Sequence, residues 1–151
     1  MNEVLYNAYV KILKEELLPA MGCTEPIAVA YAAALVRKTL GTIPQSAEVH
    51  VSANIIKNVK SVVVPHTGGM RGIDAAVAAG IIAGNADREL EVLSDVNEEE
   101  VRIMAHYLKQ TPISIAASDN GYIFDIQIRA NAGEHTAFVR IAGSHTNVIR
   151  V

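Results

Sequence analysis

The stretch Ile27-Ala-Val-Ala-Tyr-Ala-Ala-Ala-Leu-Val36 is apolar on every side when it is wound as an α-helix. A helix without a polar face is expected in the centre of a core. Thr24 is a good N-terminal cap, Pro26 is tolerated in a first turn, and Gly41 suits a C-terminal cap. The sequence therefore predicts a central, buried helix that runs from about residue 24 to residue 40.

Residues 2–18 are predicted to form an amphipathic helix before it. Their apolar side chains recur at helical spacing, with polar residues between them. Pro19 is expected to end this helix, because proline lacks the backbone N–H that would continue it. The periodic positions are Leu5, Tyr9, Ile12, Leu13 and Leu17.

The hydrophobic period changes to two from Ala47 onwards. Ala47, Val49, Val51 and Ala53 alternate with polar residues, which is the pattern of a strand with one buried face. A second short strand is predicted over residues 61–64.

A glycine-rich loop, Pro65-His-Thr-Gly-Gly-Met-Arg-Gly72, follows these strands. Asp74 is expected to cap the next helix, which is rich in alanine and runs to about Ala83. A short helix is predicted over residues 88–93. Asn97-Glu-Glu-Glu100 then has the form of a capping box, so a further helix is expected to begin there.

The last part of the chain shows strand patterns separated by turn residues. Asn120-Gly121 between two such patterns is a strong hairpin signal. Because helices come first and strands last, the sequence predicts a single α+β domain over residues 1–151. In it, an apolar central helix and flanking helices pack on a mostly antiparallel sheet that ends in a β-meander. The predicted strands cover 113–117, 122–130, 135–142 and 146–151.

Composition limits the classes of function. Half of the 151 residues are apolar, and the net charge of −3 offers no basic surface for nucleic acid. The longest apolar run is too short to span a bilayer, so no membrane partner is expected. A single cysteine allows no internal disulfide, which favours a reducing cytoplasm. The high proportion of apolar residues favours self-association or docking on a partner.

Cys23 is the first candidate for chemistry. A thiol where a helix begins faces unpaired N–H groups and the positive end of the helix dipole, and both favour the thiolate. A thiolate can attack electrophiles or bind iron and zinc. The alternative is that Cys23 is a small buried apolar residue, which is common for free cysteine.

Three polar segments are further candidates. The loop from Pro65 to Gly72 could bind an anion such as a substrate carboxylate, or it could be an ordinary turn. Asn54 and Lys57 could bind a carboxylate or an amine, or they could be the solvated end of a strand. His145, flanked by hydroxyls and an amide, could be an acid–base group or a ligand, or it could lie in a bulge.

Five segments together resemble the N-terminal part of the serine dehydratase alpha-chain-like family, which includes the iron–sulfur L-cysteine desulfidases. They occur in the family's order and span nearly the whole chain. These segments are Gly22–Pro26 (Gly-Cys-Thr-Glu-Pro), Asn54–Asn58, Val64–Gly68, Leu90–Leu93 and His145–Asn147.

The resemblance implies a lyase with a [4Fe–4S] cluster in the complete enzyme, acting on a small amino acid. L-Cysteine would yield sulfide, ammonia and pyruvate, and L-serine would yield ammonia and pyruvate. An iron with an open position would act as a Lewis acid on the β-leaving group. Cys23 corresponds to one cluster ligand, and the general base stays unassigned. The segments expected to contact substrate contain Asn54, Lys57, Asn58, Thr67, Gly68, Gly69, His145, Thr146 and Asn147.

The chain departs from the family in two respects. The family's remaining cluster cysteines lie in a continuation, whereas this chain has no second cysteine. We therefore expect an N-terminal domain or subunit that is inactive alone, with a C-terminal domain or partner chain supplying those cysteines. His66 also stands where the family commonly has glycine. Two alternatives stay open: a non-catalytic assembly module that docks on a catalytic chain, and a stand-alone cysteine-nucleophile enzyme.

Overall fold

The computed structural model describes residues 4–10, 21–60, 62–87, 92–118 and 124–143. Helices pack on a sheet, which confirms the predicted α+β class. The strands are β1 (Val4–Val10), β2 (Ser46–Ser52), β3 (Ile113–Ser118), β4 (Phe124–Ala132) and β5 (His135–Gly143). The helices are α1 (Met21–Leu40), α2 (Ala53–Val59), α3 (Ile73–Ala83) and α4 (Glu98–Gln110).

The sheet is mixed, not mostly antiparallel. Its order is β1-β5-β4-β2-β3, with antiparallel pairing at β5–β4 and β4–β2 and parallel pairing at the two outer pairs. The predicted meander is therefore wrong between β3 and β4, because β2 lies between them. A turn signal such as Asn120-Gly121 is local, whereas pairing follows the buried faces: Val49 lies opposite Ile128 in the β2–β4 register. The β4–β5 hairpin is confirmed.

The predicted helix over residues 2–18 is wrong where the structure describes it. Val4–Val10 forms β1, which pairs in parallel with β5. This segment holds two valines and two tyrosines, residue types that suit strands. Pairing with β5 overrides the weak helical period, and residues 11–20 lie outside the described part.

Helix α1 lies between the sheet and α3, which explains why it needs no polar face. It packs on β4 and β5 on one side and on α3 on the other. Val29, Ala33 and Val36 have no exposed surface, so the predicted central helix is confirmed. The helix begins at Met21 in the structure, so Thr24 lies inside it instead of capping it.

The α1–α3 contact is made by very small residues. A Cβ atom added to Gly80 of α3 would lie 2.1 Å from the carbonyl oxygen of Ala30, and one added to Gly84 would lie 2.9 Å from the Cβ of Ala34. The Arg37 guanidinium donates to the carbonyl of Ile81 at 2.8 Å, which satisfies an acceptor in the last turn of α3. The two backbones therefore approach as closely as their atoms allow.

Helix α4 covers the outer side of α3. The predicted capping box is confirmed: Asn97 Oδ1 accepts from the Glu100 N–H at 2.8 Å, and Glu100 Oε1 accepts from the Asn97 N–H at 3.2 Å. Tyr107 is buried, and its hydroxyl donates to the carbonyl of Pro44 at 2.7 Å. Burial raises the pKa of Tyr107, against smaller lowering effects of the Thr111 hydroxyl and Arg37.

Two further predictions need correction. Of the strand expected at 61–64, residue 61 lies outside the described part, and the rest forms only an isolated bridge between Val63 and Arg71. Helix α3 is preceded by Gly72 at the N-cap, whereas the carboxylate of Asp74 accepts from the Ala75 N–H at 2.9 Å inside the first turn.

Of the helix predicted at 88–93, residues 88–91 lie outside the described part. None of the described helices combines the length and the apolarity that crossing a membrane requires.

Candidate functional site

The Asn54–Asn58 segment is helical, which the sequence prediction missed. It forms most of α2, the short helix that directly follows β2. Ile55 and Val59 are fully buried and hold this helix on the core. Asn54, Lys57 and Asn58 are exposed. Their spacing of three and four places all three on one face, which offers amide groups and an ammonium group to solvent.

The following loop is closed by backbone hydrogen bonds. The Val64 N–H donates to the carbonyl of Met70 at 2.8 Å, and the Gly72 N–H donates to the carbonyl of Val62 at 3.3 Å. The end of the loop also returns to Lys60, the C-cap of α2, since a Cβ atom on Gly72 would lie 3.6 Å from its carbonyl oxygen. The loop therefore begins and ends beside the C-terminal end of α2.

Thr67 holds this loop from inside. Its side chain is fully buried, its hydroxyl donates to the carbonyl of Val64 at 2.7 Å, and it accepts from the Met70 N–H at 3.2 Å. A hydroxyl used in this way fixes the shape of the turn. Any effect of Thr67 on substrate binding would therefore be exerted through the conformation of the loop.

The tip of the loop is exposed and has unusual backbone angles. Gly68 and Gly69 have φ of 71° and 101°, and His66 has φ of 64°. Such angles suit glycine, and a histidine there is strained by about 1–2 kcal/mol. A Cβ on Gly68 would lie 3.2 Å from Cγ1 of Val101, so the tip rests against the first turn of α4. Anion binding by this loop stays a prediction.

Cys23 is the third residue of α1, and its side chain lies outside the described part. His145, Thr146 and Asn147 lie wholly outside it. Among the described residues, no group of three or more histidine, cysteine, aspartate or glutamate side chains could hold a metal ion. The prediction that Cys23 is a ligand is therefore neither supported nor contradicted by side-chain geometry.

A buried ion pair on the sheet was not predicted. Asp125 has no exposed surface, and its carboxylate accepts from Nε and Nη2 of Arg140 at 3.0 and 3.3 Å. Gln127 also donates to this carboxylate at 3.0 Å. Cross-strand neighbours on β4 and β5 cannot be recognised in a sequence before the strand register is known. The signal in the sequence was a charged residue inside each strand pattern, Asp125 in β4 and Arg140 in β5.

Comparison with known proteins finds relatives along most of this chain. It is 50% identical over 146 residues to a UPF0597 protein of Desulfitobacterium hafniense, a match that covers 97% of this chain and 34% of the relative. A UPF0597 protein of Treponema denticola is 46% identical over 144 residues, and one of Vibrio campbellii is 40% identical over 147 residues. These matches cover 95% and 97% of this chain and 33% and 34% of the relatives.

The chain thus spans about a third of the length of the curated relatives it matches. A scan against protein-family models finds no match.

Proposed function

We propose that this chain is the N-terminal portion of an iron–sulfur-dependent lyase that eliminates the β-substituent of L-cysteine or L-serine. The observation that carries the proposal is the order of five sequence motifs from Gly22 to Asn147. The geometry adds support, because the loop that contains the Val64–Gly68 motif begins and ends at the C-terminal end of α2, the helix that contains the Asn54–Asn58 motif. The greater length of the relatives leaves room for the remaining parts of an active site.

The donor set of this chain does not fit a complete cluster. Four-cysteine ligation is the usual arrangement for [4Fe–4S] clusters, and the chain has one cysteine. In the described ranges no other group of acidic or histidine side chains compensates for this. Cys23 can supply at most one ligand, so the other donors must come from another part of the protein or from a partner chain.

The chain's own residues offer recognition of a small amino acid. The exposed face of α2 presents the ammonium group of Lys57, which suits a carboxylate, and the amides of Asn54 and Asn58, which suit either polar end. In the reaction, a base removes the α-proton and the β-substituent leaves as sulfide or water. The resulting enamine tautomerises to the imine, which takes up water to give pyruvate and ammonia.

The test joins this chain to the part of the Desulfitobacterium hafniense relative that lies outside the match. The hybrid is reconstituted anaerobically with iron and sulfide, and pyruvate is measured with L-cysteine or L-serine as substrate. We expect bound iron and pyruvate from at least one of the two amino acids. Lys57→Ala should raise KM with little change in bound iron, and Lys60→Ala, which removes the exposed lysine at the C-cap of α2, is the matched control.

Cys23→Ser is the decisive variant for the cluster. If Cys23 is a ligand, this variant loses iron and activity together. Unchanged iron content would overturn the ligand assignment. A folded hybrid that binds no iron and forms no pyruvate from either amino acid would overturn the lyase proposal and favour the non-catalytic assembly module.

A further inference from the structure

Strand β3 lies at one edge of the sheet that the described strands form. It pairs with β2 on one side, and no described strand lies on its other side. Residues 114–117 are all exposed, and Ile115 is one of the few large apolar side chains with much open surface, at 38%. An edge strand usually carries charges, a proline or a bulge that prevent pairing with another chain. Ile113–Ser118 contains no charged residue and no proline.

The backbone groups at this edge can be assigned from the ladder. The Ala47 N–H donates to the carbonyl of Pro112 at 3.1 Å. In a parallel pair of strands, every second residue directs its backbone N–H and C=O groups to the same neighbouring strand. The backbone groups of the even-numbered residues of β3 therefore point to β2. Ile113, Ile115 and Ala117 direct their N–H and C=O groups towards this edge.

The same three residues place their side chains on the helix-facing side of the sheet. Ile115 lies beside Val49 in the β2–β3 register, and Val49 is buried against the helices. Residues paired in register project from the same face. Ile115 nevertheless stays exposed, so the apolar surface continues outwards at the edge of the sheet.

We infer that this edge is the site at which a second copy of the chain pairs, β3 against β3 in antiparallel orientation. A two-fold axis through Ile115 places Ile115 opposite its symmetry mate and Ile113 opposite Ala117. Each of these opposed pairs exchanges two N–H···O bonds, so every outward backbone group of the three residues is satisfied. No like charges meet, because β3 carries none. The edge is self-complementary, as a two-fold interface requires.

A reversible dimer of the 151-residue chain is the first expected result, measured by sedimentation equilibrium over a concentration series. Ile115→Lys should weaken the dimer at least about 30-fold, because a buried charge would replace a central apolar contact. Ile103→Lys is the matched control: Ile103 is 45% exposed on α4, the helix that packs on α3. This control should leave the dimer unchanged.

A second pair of variants tests the register and does not depend on how well Ile115→Lys folds. Opposed residues of a hydrogen-bonded antiparallel pair have Cα atoms about 5.5 Å apart, within the disulfide range. Ile115→Cys in a Cys23→Ser background should therefore form a covalent dimer on mild oxidation, whereas Ile103→Cys should not. A chain that is monomeric at all concentrations, or equal cross-linking at both positions, would overturn the proposal.

Discussion

Glycine serves opposite purposes in the α1–α3 contact and in the loop from Pro65 to Gly72. Gly80 has ordinary helical geometry, and any side chain there would collide with Ala30. Gly69 has open space around it, but its φ of 101° excludes most other residues. At Gly80, glycine is therefore required by the lack of space for a side chain. At Gly69, it is required by the backbone conformation. One residue type reports two different physical constraints, and only the structure separates them.

Gly80→Ala should have the largest effect. The added methyl would lie 2.1 Å from a backbone oxygen, so α1 and α3 must separate. We expect the free energy of unfolding to fall by about 3 kcal/mol, measured by urea denaturation. Gly69→Ala adds the same atoms where nothing lies within 4 Å, and only its backbone angle opposes the change, at about 1–2 kcal/mol.

The contrast would fail if Gly80→Ala raised stability. Replacing a solvent-exposed glycine in a helix by alanine raises the free energy of unfolding by up to about 1 kcal/mol. That result would mean that the two helices are not in close contact at this point.

Thr67→Val should have the next largest effect. Valine keeps the shape of the side chain but leaves the buried carbonyl of Val64 and the N–H of Met70 without the hydroxyl. A loss of about 2 kcal/mol in the free energy of unfolding is expected. Thr67→Ser keeps the hydroxyl and should recover most of the loss. Equal stability of the valine and serine variants would show that the loop does not depend on this hydroxyl.

The smallest effect concerns His66. His66→Gly and His66→Ala both remove the imidazole, but only glycine adopts a φ of 64° without strain. The glycine variant should be the more stable of the two by about 1 kcal/mol, measured by thermal unfolding. If the two variants are equally stable, the left-handed conformation at residue 66 is not maintained in solution.

Local patterns predicted those parts of the fold that local physics determines. The capping box at Asn97 and the buried helix around Val29 depend on neighbouring residues, and both are confirmed. The strand order could not be predicted, because the choice of β2 as the partner of both β3 and β4 depends on residues far apart in the sequence. Val4–Val10 was assigned to a helix because its partner, β5, is distant in the chain.

The candidate site was predictable in composition but not in shape. The polar residues of Asn54–Asn58 were recognised, whereas their helical arrangement was not. The seven residues of α2 make only about two helical turns, which is too few to distinguish a helix from the end of a strand by hydrophobic periodicity. The bracing role of Thr67 was also missed. A hydroxyl inside a turn and one that faces a ligand have the same sequence signature, and only burial distinguishes them.

The pairing of β1 with β5 has a consequence for biosynthesis. Val4 lies beside His135, so the two strands are 131 residues apart in the chain (135 − 4). A ribosome therefore releases β1 long before its neighbour exists, and closure of so long a loop is entropically costly. We expect the helices and the β2–β4–β5 part of the sheet to assemble first. Strand β1 would then join the sheet last, after β5 has been synthesised.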